Sequence, residues 1–393
     1  MAKGYLVVSV YNGSIASPIE NATVNINNLE FNTDEFGKTK KIELNTVDKK
    51  YSLYEQNEIL PYRQYDLNVS KIGYLDKYIE NIEIFDSEVS YLDVFIDSSD
   101  SVKSKKINIS PITLWGDYTN TVLDLVIPKV LKETIIPEYI IVHNGIPNDS
   151  LASNYKVSFV DYIKNIACSK IYSTWPKETI KANVIAIISF VSNRIYTEWY
   201  LSRGYDFTIT SSTTYDQHFV MGRPIFKTIS DIVDDVFNIY IKRNNSNYPI
   251  LSQYRSNTDV KGIMSQWGSK ELGDKGYSAI DILKYYYGNI ELDNAKVIEN
   301  YPKSFEGNTL KIGACGDAVY TLENQLNFIR GSYPGIPIIE SIDGLYSEDT
   351  KNSVSVFQSV FKLPVTGEVD FKTWYKISYV FVAVNDLIKS IYY

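Results

Sequence analysis

The chain has two cysteines and two histidines in 393 residues, and it lacks any apolar run approaching a membrane span. Cys168 and Cys315 are too few for a disulfide framework, and each reads as a small buried hydrophobe. The N-terminal run, Met1 to Val10, is too short for a signal peptide and has no small-residue cleavage site, so the expectation is export by some route other than general secretion. Excess positive charge is missing too. A formal net charge of −8 argues against nucleic acid and against an anionic membrane surface as partners. It says little about a partner that is itself mixed in charge. What is abundant is tyrosine, 33 in all, and its amphipathic ring suits a sugar face and an ordinary core equally well.

The length exceeds one ordinary core, so two or three domains are expected. Residues 1–97 read as all-β. Leu6, Val8 and Val10 alternate with other residues, as do Ala22, Val24 and Ile26, and further strands are expected around Tyr65–Lys71, Tyr78–Ile84 and Tyr91–Ile96. Asn32 to Gly37 is a turn, with Gly37 free to take positive φ. Residues 98–136 turn polar and then Pro-punctuated, as a linker or an exposed cleavage region does. Residues 137–300 mix strand and helix signals. Tyr139–His143 reads as a strand, Phe159–Ala167 as a connecting segment, Tyr205–Thr210 as a strand and Ile229–Tyr240 as helical. Residues 309–393 carry three amphipathic helical sets, with Asp317, Ser347 and Asp370 at N-cap positions.

One helix organises the middle of the chain. Pro176 suits only a first helical turn, and Ile180, Val184, Ile187, Ile188, Val191 and Ile195 then recur at helical spacing. Ala182, Ser189 and Asn193 make the other side small or polar, so the helix is expected to be covered on both sides. Glu178 then sits in the first turn, at a covered helix start facing a crevice. On position alone it is a partner for the helix dipole. A second stretch, Lys261 to Ser278, contains Met264-Ser265-Gln266-Trp267-Gly268 as a loop, followed by a helix capped by Ser278 and stopped by Gly288.

Together, Trp175-Pro176-Lys177-Glu178-Thr179-Ile180-Lys181-Ala182 and Met264–Gly268 resemble the glycan-cleaving domain of the sporulation stage II protein D type. With Phe207 to Asp216 added, the chain is similar to the clostridial spore cortex-lytic enzymes of the SleC family, which are lytic transglycosylases. The resemblance implies a multidomain α+β chain: an N-terminal β-sandwich, a mixed α/β catalytic domain and a C-terminal three-helix peptidoglycan-binding module. The sandwich resembles the carboxypeptidase-regulatory type through Pro18 to Val24, Asp34 and Gly37, a likeness that assigns no chemistry. The module resembles wall-hydrolase ends through Gly316-Asp317-Ala318-Val319, Asp343-Gly344-Leu345-Tyr346 and Leu363 to Asp370.

By the same resemblance Glu178 is catalytic, and Lys181, Thr213, Tyr215, Gln217, Ser265, Gln266 and Trp267 bind substrate. The partner implied is the glycan of peptidoglycan, the location the spore cortex or wall, and the N-terminal region a pro-sequence removed by an activating protease just before Pro137. A plain interdomain linker explains residues 98–136 as well. Relatives can carry a Cys/His zinc cluster, but here only His218 stands near that segment, so neither metal nor cofactor is expected. Two rival functions remain: a wall-binding scaffold without catalysis, and a glycosidase that uses water. If Glu178 donates a proton, apolar cover must outweigh the helix N-terminus, which favours the ionised carboxylate, and Trp175 is the nearest wall.

Overall fold

The computed structural model describes residues 2–55, 59–99, 106–112, 114, 131–297 and 308–392, with side chains described up to residue 384. The first unit is a sandwich of two sheets. Strands β1 (Ala2–Asn12), β2 (Thr23–Ile26), β3 (Leu29–Asn32), β4 (Ile42–Thr46), β5 (Arg63–Ser70), β6 (Lys77–Ile84), β7 (Val89–Ile96) and β8 (Ile107–Asn108) build it. One sheet runs β3-β2-β5-β6-β8, and the other places β1 between β7 and β4. Period-2 alternation sends Leu6, Val8 and Val10 inward against Val24, Leu67, Ile79, Ile82 and Leu92, all at most 1% exposed. Gly37 has φ +73°, and its carbonyl accepts from Val10 N at 2.7 Å, which closes the expected turn onto β1.

The central unit packs helices around a buried helix. They are α1 (Phe159–Lys170), α2 (Lys177–Tyr196), α3 (Lys227–Val236), α4 (Gln266–Asp274) and α5 (Ala279–Tyr287). Helix α2 is covered on both sides as its sequence implies: Ile180, Ala182, Val184, Ile188 and Ser189 are all fully buried. Several expectations change. Phe159–Ala167 is helical rather than a connection, because Ser158 caps it (Oγ accepts from Asp161 N, 3.1 Å) and Phe159, Ile163, Ile166 and Ala167 form a buried stripe. The strand expected over Tyr205–Thr210 shrinks to Ile209–Thr210, parallel to Tyr139–His143. The helix expected over Ile229–Tyr240 stops at Val236, and Ile239–Arg243 becomes a strand paired with Ile290–Asn294. Met264–Gly268 is no loop: Met264–Ser265 pairs with Tyr254–Arg255, and Ser265 caps α4.

The third unit holds α6 (Asp317–Ile329), α7 (Glu348–Val360) and α8 (Phe371–Tyr392) around Leu322, Leu326, Phe357, Trp374 and Ile377. Ser347 and Thr350 form a capping box, and Asp370 accepts from Thr373 N at 2.9 Å, whereas Asp317 stands one residue inside its helix, behind Gly316.

These units interlock. Ile225–Phe226 of the central unit adds a strand to β7, beside which Phe226 meets Phe85 edge-on at 4.9 Å. Tyr62, Phe85, Ile112 and Leu114 sit in the central core, and Ala16 sits in that of the third unit. Residues 98–136 are therefore more than a linker at their ends. Ile107–Asn108 extends a sheet, Ile109 fills the sandwich, and Ile135–Ile136 pairs with Lys296–Val297, because apolar residues there reach cores that polar neighbours cannot. The cleavage site expected just before Pro137 falls on Ile135–Ile136, which is held in a strand pair, while residues 115–130 of the wider segment lie outside those described. Of the cysteines, Cys168 is buried as expected and accepts from Phe226 N at 3.3 Å; Cys315 is exposed, on a chain segment at the rim of the third unit.

Candidate active site

The two stretches that carry the resemblance fold against each other at the start of α2. Glu178 lies in its first turn, and Glu178 Oε2 accepts from the backbone N–H of Ala279, the first residue of α5, at 2.7 Å. One turn earlier, Trp175 packs against Trp267 with ring centroids 5.0 Å apart, and Tyr172 stands edge-on to both. Helices α2 and α4 approach closely because α4 offers glycine where they cross. A Cβ on Gly273 would stand 2.0 Å from Thr179 Oγ1. Thr179 Oγ1 donates to Ser269 O at 3.2 Å and Asn183 Nδ2 to Ser269 Oγ at 2.9 Å, which lock the register of the pair.

Glu178 is nevertheless exposed, which corrects the covered setting expected for it. Burial of α2 begins at Thr179, and the first turn projects beyond the core toward the α5 start. Trp175 is not its wall. The indole is buried, donating Nε1–H to Ser52 O of the sandwich at 2.9 Å. The Ala279 N–H and the starts of α2 and α5 are thus the neighbours that fix the position of the Glu178 carboxyl.

Four of the expected substrate-binding residues are buried, which corrects their expected presentation to a ligand. Ser265 Oγ accepts from Gly268 N at 2.9 Å as the α4 cap. Gln266 Nε2 donates to Lys170 O at 3.1 Å, and Gln217 Oε1 accepts from the Tyr254 hydroxyl. Trp267 completes the aromatic group. Each spends its polar or aromatic face on the protein, so it is held rather than offered. Gln217 Nε2 and Gln266 Oε1 are buried and have no protein partner among the described residues. Lys181 is half-buried on α2, one turn from Glu178.

Thr213 and Tyr215 lie elsewhere. The Tyr215 carbonyl accepts from Arg194 Nη2 at 3.0 Å near the far end of α2. Residues 178 and 194 are about 24 Å apart along the axis at 1.5 Å per residue. Asp216 pins that segment, fully buried, taking Arg194 Nε (2.8 Å), Tyr200 Oη (2.5 Å), and Thr210 N and Oγ1 (3.0 and 2.8 Å).

Sequence reasoning missed Lys170, Tyr254 and Asn257. Lys170 is fully buried at the end of α1, its Nζ 5.5 Å from the Tyr254 ring centroid, and burial pushes its ammonium down to about 7. It charges the surroundings of His218, which burial and then Lys170 and Arg223 push down to about 4. Asn257 links the α4 cap to the sandwich, accepting from Ser265 Oγ (3.3 Å) and donating to Glu55 Oε2 (3.1 Å). Only non-local packing brings these residues in, and periodicity carries no sign of it. Among the described residues no three His, Cys, Asp or Glu side chains converge to hold a metal, and no helix is long and apolar enough to cross a membrane.

No curated protein matches the chain. Among solved structures, the one titled the crystal structure of SleB N-terminal domain is 28% identical, covering 19% of this chain and 93% of its own, with a TM-score of 0.16. Residues 315–377, the body of the third unit, match the family described as putative peptidoglycan binding domain.

Proposed function

We propose that the chain is a lytic transglycosylase that cuts the glycan strands of spore cortex peptidoglycan, with its third unit holding it to the wall. The observation that carries the proposal is the meeting of Glu178 with Ala279 and of Trp175 with Trp267. Two motifs nearly ninety positions apart in sequence converge on one exposed carboxylate.

In this reaction the apolar cover that Glu178 lacks in the free chain comes from the glycan laid over it, and the carboxyl gives a proton to the oxygen leaving from the muramic C1. The muramic C6 hydroxyl attacks C1, a C1–O6 bond replaces the C1–O4 bond, and the C6 proton passes to Glu178. The carboxyl ends as it began, and no water is consumed. Tethering of the C6 hydroxyl supplies the effective concentration that a hydrolase takes from a second carboxylate. The location that follows is the cortex or wall.

A second reading has its own observation. Glu178 caps α5, and a purely structural carboxylate would do the same in a wall-binding scaffold. Glu178→Gln separates the two, because the amide still accepts a hydrogen bond but has no transferable proton. A loss of at least about a thousandfold is expected, with folding and wall binding retained. Glu198→Gln, at the other end of α2, is expected to keep most activity. Mass spectrometry of products from cortex fragments distinguishes the outcomes: anhydro-muramyl ends support the proposal, reducing ends mean a water-using glycosidase, and no release means the scaffold.

The sandwich braces the Trp175 and Asn257 side of this region and leaves Glu178 exposed, which suits a pro-region that restrains the site rather than plugs it. Ser52 O holds Trp175, Ser52 Oγ lies 2.6 Å from Thr174 Oγ1, and Glu55 reaches Asn257. An activating protease cutting between residues 114 and 137 is expected to raise turnover by letting the sandwich shift on the central unit while the two stay docked. Equal turnover of cut and uncut chain sinks that part.

A further inference from the structure

We infer that the third unit grips the wall through the face formed by Tyr320, Leu345 and Cys315, and that its ligand there is the sugar chain rather than the stem peptide. The inference rests on the wall-binding reading above and adds where the polymer sits. Much of the unit is already occupied by the rest of the chain. Lys38 Nζ donates to Ser359 O (3.0 Å) and Val360 O (2.8 Å), and Lys362 pairs with Asp93 at 2.6 Å. The Tyr333 hydroxyl donates to Ile15 O, and a Cβ on Gly335 would run into Phe36. Phe371 stacks on Phe237 at 5.4 Å, Tyr379 meets Tyr139 at 6.1 Å, and Lys372 pairs with Asp235. The docked side thus runs through residues 333–335, 359–363 and 371–379.

The start of α6 and the segment before α7 make none of those contacts among the described residues. There Tyr320 is 51% exposed, Leu345 50% and Ile312 49%. Cys315 and Leu345 are antiparallel partners, tied by Gly316 N→Gly344 O (2.9 Å) and Tyr346 N→Ala314 O (2.8 Å). Tyr320 stands directly beside them: a Cβ on Gly344 would lie 3.4 Å from Tyr320 Cβ and 3.1 Å from Gly316 O, and Gly344 takes φ +75°. The shelf is rigid. Buried Glu323 accepts from Gly344 N (3.0 Å) with one oxygen and from Thr350 Oγ1 (3.0 Å) with the other. A half-exposed phenol ring beside an aliphatic side chain, on a tied-down backbone, is the kind of surface on which the apolar face of a pyranose stacks. Exposed Asp317 and Asp343 flank it, only partly offset by exposed Lys311, so the net charge there is negative and disfavours the free carboxylates of peptide stems. A neutral, stem-free stretch of glycan fits this face.

The test uses the full chain, pelleted with insoluble peptidoglycan and competed with soluble chitohexaose or with free stem peptide. Tyr320→Ala is expected to weaken pelleting at least about tenfold, a difference of about 1.4 kcal/mol. Tyr320→Phe should keep it, and Val365→Ser, at an apolar residue 60% exposed elsewhere on the unit, should leave it unchanged. Chitohexaose should release the protein and stem peptide should not. Tyr320→Ala and Leu345→Ser variants that pellet as well as the wild type overturn the face while wall binding stands. Release by stem peptide alone overturns the choice of sugar. Wild-type protein that fails to pellet removes the wall-binding reading itself, and this inference with it.

Discussion

Arg223 ties the sandwich to the central unit with a guanidinium from which water is wholly excluded. It pairs with Glu83 of β6, both side chains fully buried, and also donates to Ser169 Oγ (3.2 Å) and to Ser110 O. Removing one member strands the other charge in a low dielectric, so Arg223→Met is expected to destabilise the chain by about 3–5 kcal/mol in chemical denaturation. The double replacement Glu83→Leu with Arg223→Met should recover much of that loss. Lys170 makes a different prediction. Its ammonium titrates near 7 in the folded chain, well below its ordinary value, so between about pH 7 and 10 the unfolded chain binds more protons than the folded one. Its contribution therefore makes stability rise with pH across that window and fall as pH drops through it. Lys170→Met should flatten the dependence measured by denaturation at several pH values. An unchanged slope would show that the ammonium keeps an ordinary affinity for its proton.

At the scale of elements, the crossing of α2 with α4 matters most, because it sets Glu178 against α5 and Trp175 against Trp267. Gly273 is the residue that permits it, lying where any side chain meets Thr179. Gly273→Ala is expected to push the helices apart at a cost of about 1–3 kcal/mol, visible as a lower melting temperature. Thr179→Ala in the same chain should relieve part of it, since it removes the opposing hydroxyl; no relief would locate the strain elsewhere. The element boundaries themselves were partly legible. Ser278 and Gly288 bound α5 as their types require, and Ser347 caps α7. The stripe Phe159, Ile163, Ile166 is equally present in the sequence, and the Ser158 cap with the cover it meets in the central core makes it a helix rather than a connection.

For the whole molecule, docking has consequences that a chain of independent domains would not show. A cut between residues 114 and 137 severs the backbone but leaves the Arg223–Glu83 pair, the Phe85–Phe226 contact and the strand added to β7 in place. The two fragments are therefore expected to co-elute on gel filtration after cleavage and to separate only in denaturant. Separation in native buffer would mean that the interface is weak without the covalent link. Deleting residues 309–393 likewise bares Phe237 and Tyr139, so that truncation should lower the melting temperature as well as wall retention.

Sequence alone was enough to determine the part of the local architecture that short-range pattern carries. Alternation over Leu6, Val8 and Val10, the turn at Gly37, the course of α2 and the three C-terminal helices depend on neighbours two to four positions apart, and those neighbours are written side by side. It also singled out Glu178, the segment around Gln266 and the C-terminal motifs that match the peptidoglycan-binding family. Tertiary structure decided which of these residues face solvent. Gln217 and Gln266 carry polar side chains of the kind that binds sugars, yet the Tyr254 hydroxyl and the Lys170 carbonyl hold them inside. Glu178 was placed at a covered start and is exposed, because the core reaches only to Thr179. Tyr215 was grouped with it and lies toward the far end of the same helix. The physical reason is common to all three: burial is a property of what arrives from elsewhere in the chain, and no local period records its arrival.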